Sequence, residues 1–149
     1  MKSKAKKLLN NRLRESTMKG LFIEIISIAS VVILMCARGE IENVDKLLAA
    51  CILISAINLI NMVKTNVRAS IAIDSGNFSI KKHTCEDKSV KYHRRHSDNF
   101  INYKGEDGED KRVSCKDETY SKIDKGDDIT ILHRNFGMYL EHDKDYLLD

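Results

Sequence analysis

Apolar residues in this chain fall into two nearly unbroken stretches and then scatter into short alternating runs. Residues 21–37 read LFIEIISIASVVILMCA and residues 47–63 read LLAACILISAINLINMV. At about 1.5 Å of rise per residue, each run spans roughly 25 Å, slightly less than the ~30 Å hydrocarbon core of a bilayer. Local thinning or snorkelling absorbs such a shortfall. Helices packed inside a small soluble bundle would keep a polar face, and these show little of one. The pattern predicts a transmembrane helical hairpin over residues 21–64, joined by the link RGEIENVDK at 38–46.

The polar interruptions fit such a hairpin. In an antiparallel pair with this link, Glu24 lies level with Ile60 and within a turn of Asn58 and Asn61, near one end of the spans. A carboxyl at that depth is tolerable if it bonds an Asn or snorkels, so Glu24, Asn58 and Asn61 form the intramembrane polar set. Ala29 and Ser30 fall level with Ser55, where small side chains permit close approach. Basic residues concentrate outside the hairpin. The first twenty residues carry seven Lys/Arg and one Glu, and Lys64, Arg68, Lys81 and Lys82 follow the second span, against Arg38 and Lys46 in the link. The positive-inside rule then places both termini in the cytoplasm. A cleaved signal peptide fits less well, because the basic head is long and a second span follows at once.

After residue 66 the pattern becomes that of short strands and turns. VRASIAI (67–73) reads as a strand ending at the turn residues Asp74-Ser75-Gly76-Asn77, and Phe78-Ser79-Ile80 and Val90/Tyr92 alternate. Phe100, Ile101 and Tyr103 lead to Gly105-Glu106-Asp107-Gly108, a hairpin signal, and then to Val113. Asp117 is placed to cap a helical turn bearing Tyr120 and Ile123. ITIL (129–132) is the strongest strand, with Ile129 and Ile131 facing inward onto Phe100, Val113 and Ile123, and Met138-Tyr139-Leu140 closing the sheet. The predicted fold is α+β: a basic head (1–20), the hairpin (21–64), and a small β domain (66–149), an SH3-like or OB-like barrel or curled antiparallel sheet.

These residues also carry a resemblance. The stretch 99–103, the charged hairpin 105–108, Val113-Ser114, Tyr120 to Ile123 and Lys125-Gly126-Asp127 resemble a pattern in uncharacterised small bacterial membrane proteins, in which a transmembrane segment precedes a small β domain. The similarity covers roughly residues 76–141. It implies a membrane-anchored β domain and carries over no catalytic residue.

Net charge of the 149-residue chain is +3, but the average conceals a basic head and a tail with 15 basic against 17 acidic residues after position 64. A near-neutral folded domain argues against nucleic-acid binding. The head residues Lys4, Lys6, Lys7, Arg12 and Arg14 suit anionic lipid headgroups, at about 1 kcal/mol per basic residue near a surface. Lys88, Lys91, Arg94 and Arg95, in the run KSVKYHRRH, form a second basic cluster suited to a membrane or an acidic partner. Cys36, Cys51, Cys85 and Cys115 show no CxxC pair and read as reduced thiols. Cys85, His93, His96 and Cys115 lack zinc-finger spacing, so no metal and no cofactor is expected. Without a nucleophile elbow, HExxH or phosphate loop, no enzyme is expected either. The expectation is a membrane-tethered, non-catalytic binding or regulatory module with a protein partner that the sequence does not name. The alternative is an accessory subunit whose hairpin makes the contacts. Homo-oligomerisation is compatible with both.

Overall fold

The computed structural model describes residues 1–38, 44–94 and 97–148. Two long apolar helices, α1 (Lys2–Arg38) and α2 (Val44–Asp74), precede a curled five-stranded antiparallel half-barrel sheet, giving the α+β fold that the pattern predicts. The sheet comprises β1 (Phe78–Tyr92), β2 (Ser97–Lys104), β3 (Asp110–Cys115), β4 (Asp128–Arg134) and β5 (Asp145–Leu147), with one short helix, α3 (Asp117–Lys122), between β3 and β4. By internal contacts the chain divides into two units. One holds Lys7–Ser75 with Phe136–His142, and the other holds Met1–Lys6, Gly76–Asn135 and Asp143–Asp149.

Both helices are longer than the hydrocarbon core of a bilayer is thick. α1 has 37 residues and α2 has 31, so they extend roughly 55 and 46 Å against a ~30 Å hydrocarbon core. The surplus at one end carries polar contacts. Asn66 donates from Nδ2 to Thr17 Oγ1 at 2.8 Å and accepts at Oδ1 from the Tyr139 backbone N–H at 3.3 Å. Ser16 donates to the Tyr139 carbonyl, and Arg12 pairs with Glu141 at 3.9 Å. Segment 136–142 is thereby bound to both helices through backbone groups that would otherwise lack partners. Gly20 makes room for it: a Cβ there would stand 2.7 Å from Met62 Sδ and 3.0 Å from the Tyr139 ring. Thr17 beside Asn66 and Gly20 beside Met62 lie within two residues of the antiparallel register predicted for the hairpin. The link residues 39–43 lie outside the described residues.

The sheet curls because one strand serves two halves. β1 pairs through residues 78–84 with β4 and through residues 85–92 with β2, and a register shift falls between Cys85 and Asp87. A bulge of this kind inserts one residue, bends the strand and reverses its inside–outside alternation. The turn before β4 closes on the bend: Gly126 donates to the Cys85 carbonyl at 2.8 Å, and the Cys85 N–H bonds Asp127 O at 2.9 Å. The strand order is β3-β2-β1-β4-β5, and the outer strands β3 and β5 approach one another. Inside the curl lie Cys85, Ile101, Tyr103, Val113, Ile129 and Ile131, with Cys115, Ile123 and Leu147 packed on their margin.

Several local expectations are corrected. VRASIAI is the last two turns of α2, not a strand, because the helix runs on to Asp74 before Gly76 takes a φ of +73°. Its apolar members fit a helical face equally well, and helical neighbours override β propensity. Asp117 does not cap α3: the N-cap is Lys116, without a side-chain bond, and Asp117 instead accepts from Asn99 Nδ2 at 2.6 Å. Phe100 does not join Ile129 and Ile131. It faces the opposite side from Ile101, beneath the Arg112 guanidinium at 4.8 Å. Met138-Tyr139-Leu140 forms no closing strand, since this stretch belongs with the helices and β5 follows it. Ile129 and Ile131 are buried as expected, but so is Leu132 on the other face, level with Ile80 and Tyr146.

Candidate functional site

Before its bulge, β1 directs Ser79, Lys81, His83 and Cys85 to the inner face, opposite His133, Ile131 and Ile129 of β4. His133 continues the parity of Ile129 and Ile131, so an imidazole stands where the core pattern would otherwise place an apolar side chain. Tyr103 of β2 lies opposite Cys85, and Asp145 of β5 lies opposite His133. Four strands thus bring His83, Tyr103, His133 and Asp145 together at the inner rim of the curl.

Their contacts form a continuous chain. The Tyr103 hydroxyl donates to Asp145 Oδ2 at 2.9 Å, and Asp145 Oδ1 lies 2.8 Å from His133 Nδ1. His133 Nε2 faces His83 Nε2 at 3.2 Å, and His83 Nδ1 lies 3.1 Å from the Lys104 carbonyl. The two imidazoles meet edge to face with centroids 5.4 Å apart, and His83 also tilts against the Tyr103 ring at 4.7 Å. Tyr103 is fully buried while the imidazoles are half-buried, so the chain runs from the core to the surface. Burial, and then the bond to Asp145, push the Tyr103 phenol well above its ordinary pKa, which keeps it a hydrogen-bond donor. Burial likewise raises the Cys85 thiol, which packs among the core residues of the curl. At the β2–β3 hairpin tip, Lys81 holds Glu106 at 2.5 Å. This bond lowers the Glu106 carboxyl.

The residues singled out from the sequence lie elsewhere. Lys4, Lys7 and Arg14 are exposed on α1, Lys6 and Arg12 are half-buried, and Arg12 pairs with Glu15 as well as Glu141. Lys88 lies over the Tyr120 ring at 4.4 Å and 4.0 Å from Asp124, so the structure uses part of its charge internally. Lys91 and Arg94 are exposed at the end of β1, whereas Arg95 and His96 lie outside the described residues. His93 pairs with Asp98 at 3.2 Å, and neither Cys85 nor Cys115 is in a disulfide. In the two long apolar helices, Glu24 and Asn58 are half-buried and Asn61 is exposed.

Sequence reasoning did not assemble the His83–Tyr103–His133–Asp145 chain, because its bonded partners are 12, 42 and 50 residues apart and share no spacing motif. The available signal was parity: His133 falls on the face of ITIL that should be buried. Among the described residues, no set of three or more His, Cys, Asp and Glu side chains forms a ready-made metal cluster. A separate open groove of about 460 Å³ runs between α3 and the β4–β5 edge, lined by residues including Lys122, Ile123, Thr130 and Leu148. No family model, curated protein or solved structure matches the chain.

Proposed function

We propose that this chain is a membrane-tethered, non-catalytic binding or regulatory module that holds its curled β domain at the cytoplasmic face of the cell membrane, with both termini cytoplasmic. The observation that supports it most is the exposure of the helices' apolar side chains. Phe22, Ile25, Ile33, Ile52, Leu53 and Ile60 are each more than 60% exposed, and only 11% of the most apolar window of each helix is buried. In water this would be an apolar surface far beyond what a soluble monomer carries, whereas in lipid it needs no protein partner. Basic side chains bracket the hairpin on the sides of the two termini, as the positive-inside rule requires for this orientation. The polar seam of Ser16, Thr17 and Asn66 then falls just beyond the hydrocarbon, where backbone and hydroxyl groups are not stranded in lipid. The head contributes attraction to anionic headgroups.

The alternative, an accessory subunit gripping a larger complex through its hairpin, draws on Glu24 and Asn58, polar groups within the spans that a neighbouring helix would satisfy. A reporter fused after Asp149 that works only outside the cell should stay silent, and one that works only inside should be active. A bright external reporter would overturn the topology.

A further inference from the structure

We propose that His83 and His133 are the two protein ligands of a site for a divalent metal ion of the zinc class, open to water or to a partner's donor atom. The argument starts from the two Nδ1 atoms. The Lys104 carbonyl only accepts hydrogen bonds, so His83 Nδ1, 3.1 Å away, carries the proton. Asp145 Oδ1 accepts at 2.8 Å from His133 Nδ1, while its other oxygen takes the Tyr103 hydroxyl. With both rings neutral, each presents a lone pair at Nε2, and the two Nε2 atoms lie 3.2 Å apart. Two bare lone pairs at that distance repel; either a proton on one Nε2, giving an N–H···N bond, or a metal ion shared between them relieves this, and the second is what we propose. A tetrahedral ion with metal–nitrogen bonds of about 2.0–2.1 Å spaces its nitrogen ligands about 3.3–3.4 Å apart, so the observed separation already suits it.

The surroundings match what such an ion requires. A metal-bound imidazole ordinarily donates its other N–H to a carboxylate or backbone carbonyl, which fixes its tautomer and strengthens it as a ligand. Here one ring has the carboxylate and the other the carbonyl. Tyr103, buried and bonded to Asp145, holds the carboxylate in place. Imidazole nitrogen selects zinc, copper, nickel or cobalt over calcium or magnesium, which need an oxygen cage. The His133 side chain is 21% exposed, so an ion can enter and water can fill the remaining positions. Two protein ligands make an incomplete shell, which suits a binding module whose partner supplies the rest. The site lies wholly in the sheet unit and does not depend on the membrane topology.

The test uses the full chain in detergent micelles, purified without a polyhistidine tag, stripped with EDTA and titrated with Zn²⁺ against a chromogenic chelator. One Zn²⁺ per chain should bind. His83→Gln and His133→Gln should each weaken binding at least about tenfold, and Asp145→Asn roughly 10–100-fold, the range for a residue that hydrogen-bonds a metal-bound imidazole. His93→Gln should change nothing. No binding at millimolar Zn²⁺, or binding unaltered by both His substitutions, overturns the proposal. To guard against variants that misfold, acylation of histidine by diethyl pyrocarbonate is read residue by residue on the unaltered chain. Zn²⁺ should protect His83 and His133 but not His93, and equal modification of His83 and His133 with and without saturating Zn²⁺ overturns the proposal.

Discussion

Ile131 offers the sharpest test of how the sheet unit is held together. Its side chain is completely buried, on the inner face of β4, among Cys85, Ile101, Tyr103, Val113 and Ile129. Changing Ile131 to Ala removes three carbons, worth about 0.8 kcal/mol each in transfer from water, or about 2.4 kcal/mol. The cavity left behind adds to this: if about 50 Å³ stays unfilled, about 24 cal/mol per Å³ contributes roughly 1.2 kcal/mol more. The expected loss is about 3.5 kcal/mol, a large share of the stability of a small domain. Because the chain has two units, a single melting temperature would mix them. Hydrogen exchange of peptides from β1, β2 and β4, measured on the full chain in micelles, reads the sheet unit alone. At tenfold per 1.4 kcal/mol, protection should fall by about 300-fold, while peptides from the spans stay unchanged. Ile80 to Ala, half-buried on the other face, should cost about 1 kcal/mol. A loss of less than about fivefold at Ile131 would refute the claim that the inner face of the curl is the core.

Two further perturbations address the helices. Replacing Asn66 with Ala removes the donor to Thr17 and the acceptor for the Tyr139 N–H, so exchange across segment 136–142 should speed up roughly tenfold, in line with about 1–2 kcal/mol for buried hydrogen-bonding groups; unchanged exchange would show that the segment does not depend on that side chain. Replacing Glu24 with Leu removes the cost of a polar group in lipid, so membrane insertion and abundance should be retained; a collapse of either would reveal a specific partner for Glu24 and favour the accessory-subunit reading.

The two apolar helices were legible because length and apolarity are matters of composition. Seventeen consecutive, mostly apolar residues make a helix long and apolar enough to cross a bilayer wherever neighbouring elements lie, so residues 21–37 and 47–63 announce themselves without tertiary information. The α+β order and the Gly105–Gly108 hairpin were legible for a similar reason, since local turn chemistry sets them, as the +76° φ of Gly108 shows. Other features were decided by packing. VRASIAI suits a strand or a helix, and only its continuity with α2 selects the helix. Phe100 and Ile101 are adjacent apolar residues on opposite faces, and the bulge at Cys85–Asp87, which no spacing announces, reverses the parity of β1. Met138, Tyr139 and Leu140 look like strand residues, yet Ser16 and Asn66, more than 70 positions away, take the hydrogen bonds of Tyr139. The imidazole pair is the extreme case. His83 and His133 are 50 residues apart, and their facing nitrogens depend on a bent strand, a shared inner face, and partners at Lys104 and Asp145. Hydropathy and turn residues are properties of a short stretch of chain; a meeting of two imidazoles across strands is a property of three-dimensional register, and only the folded sheet produces it.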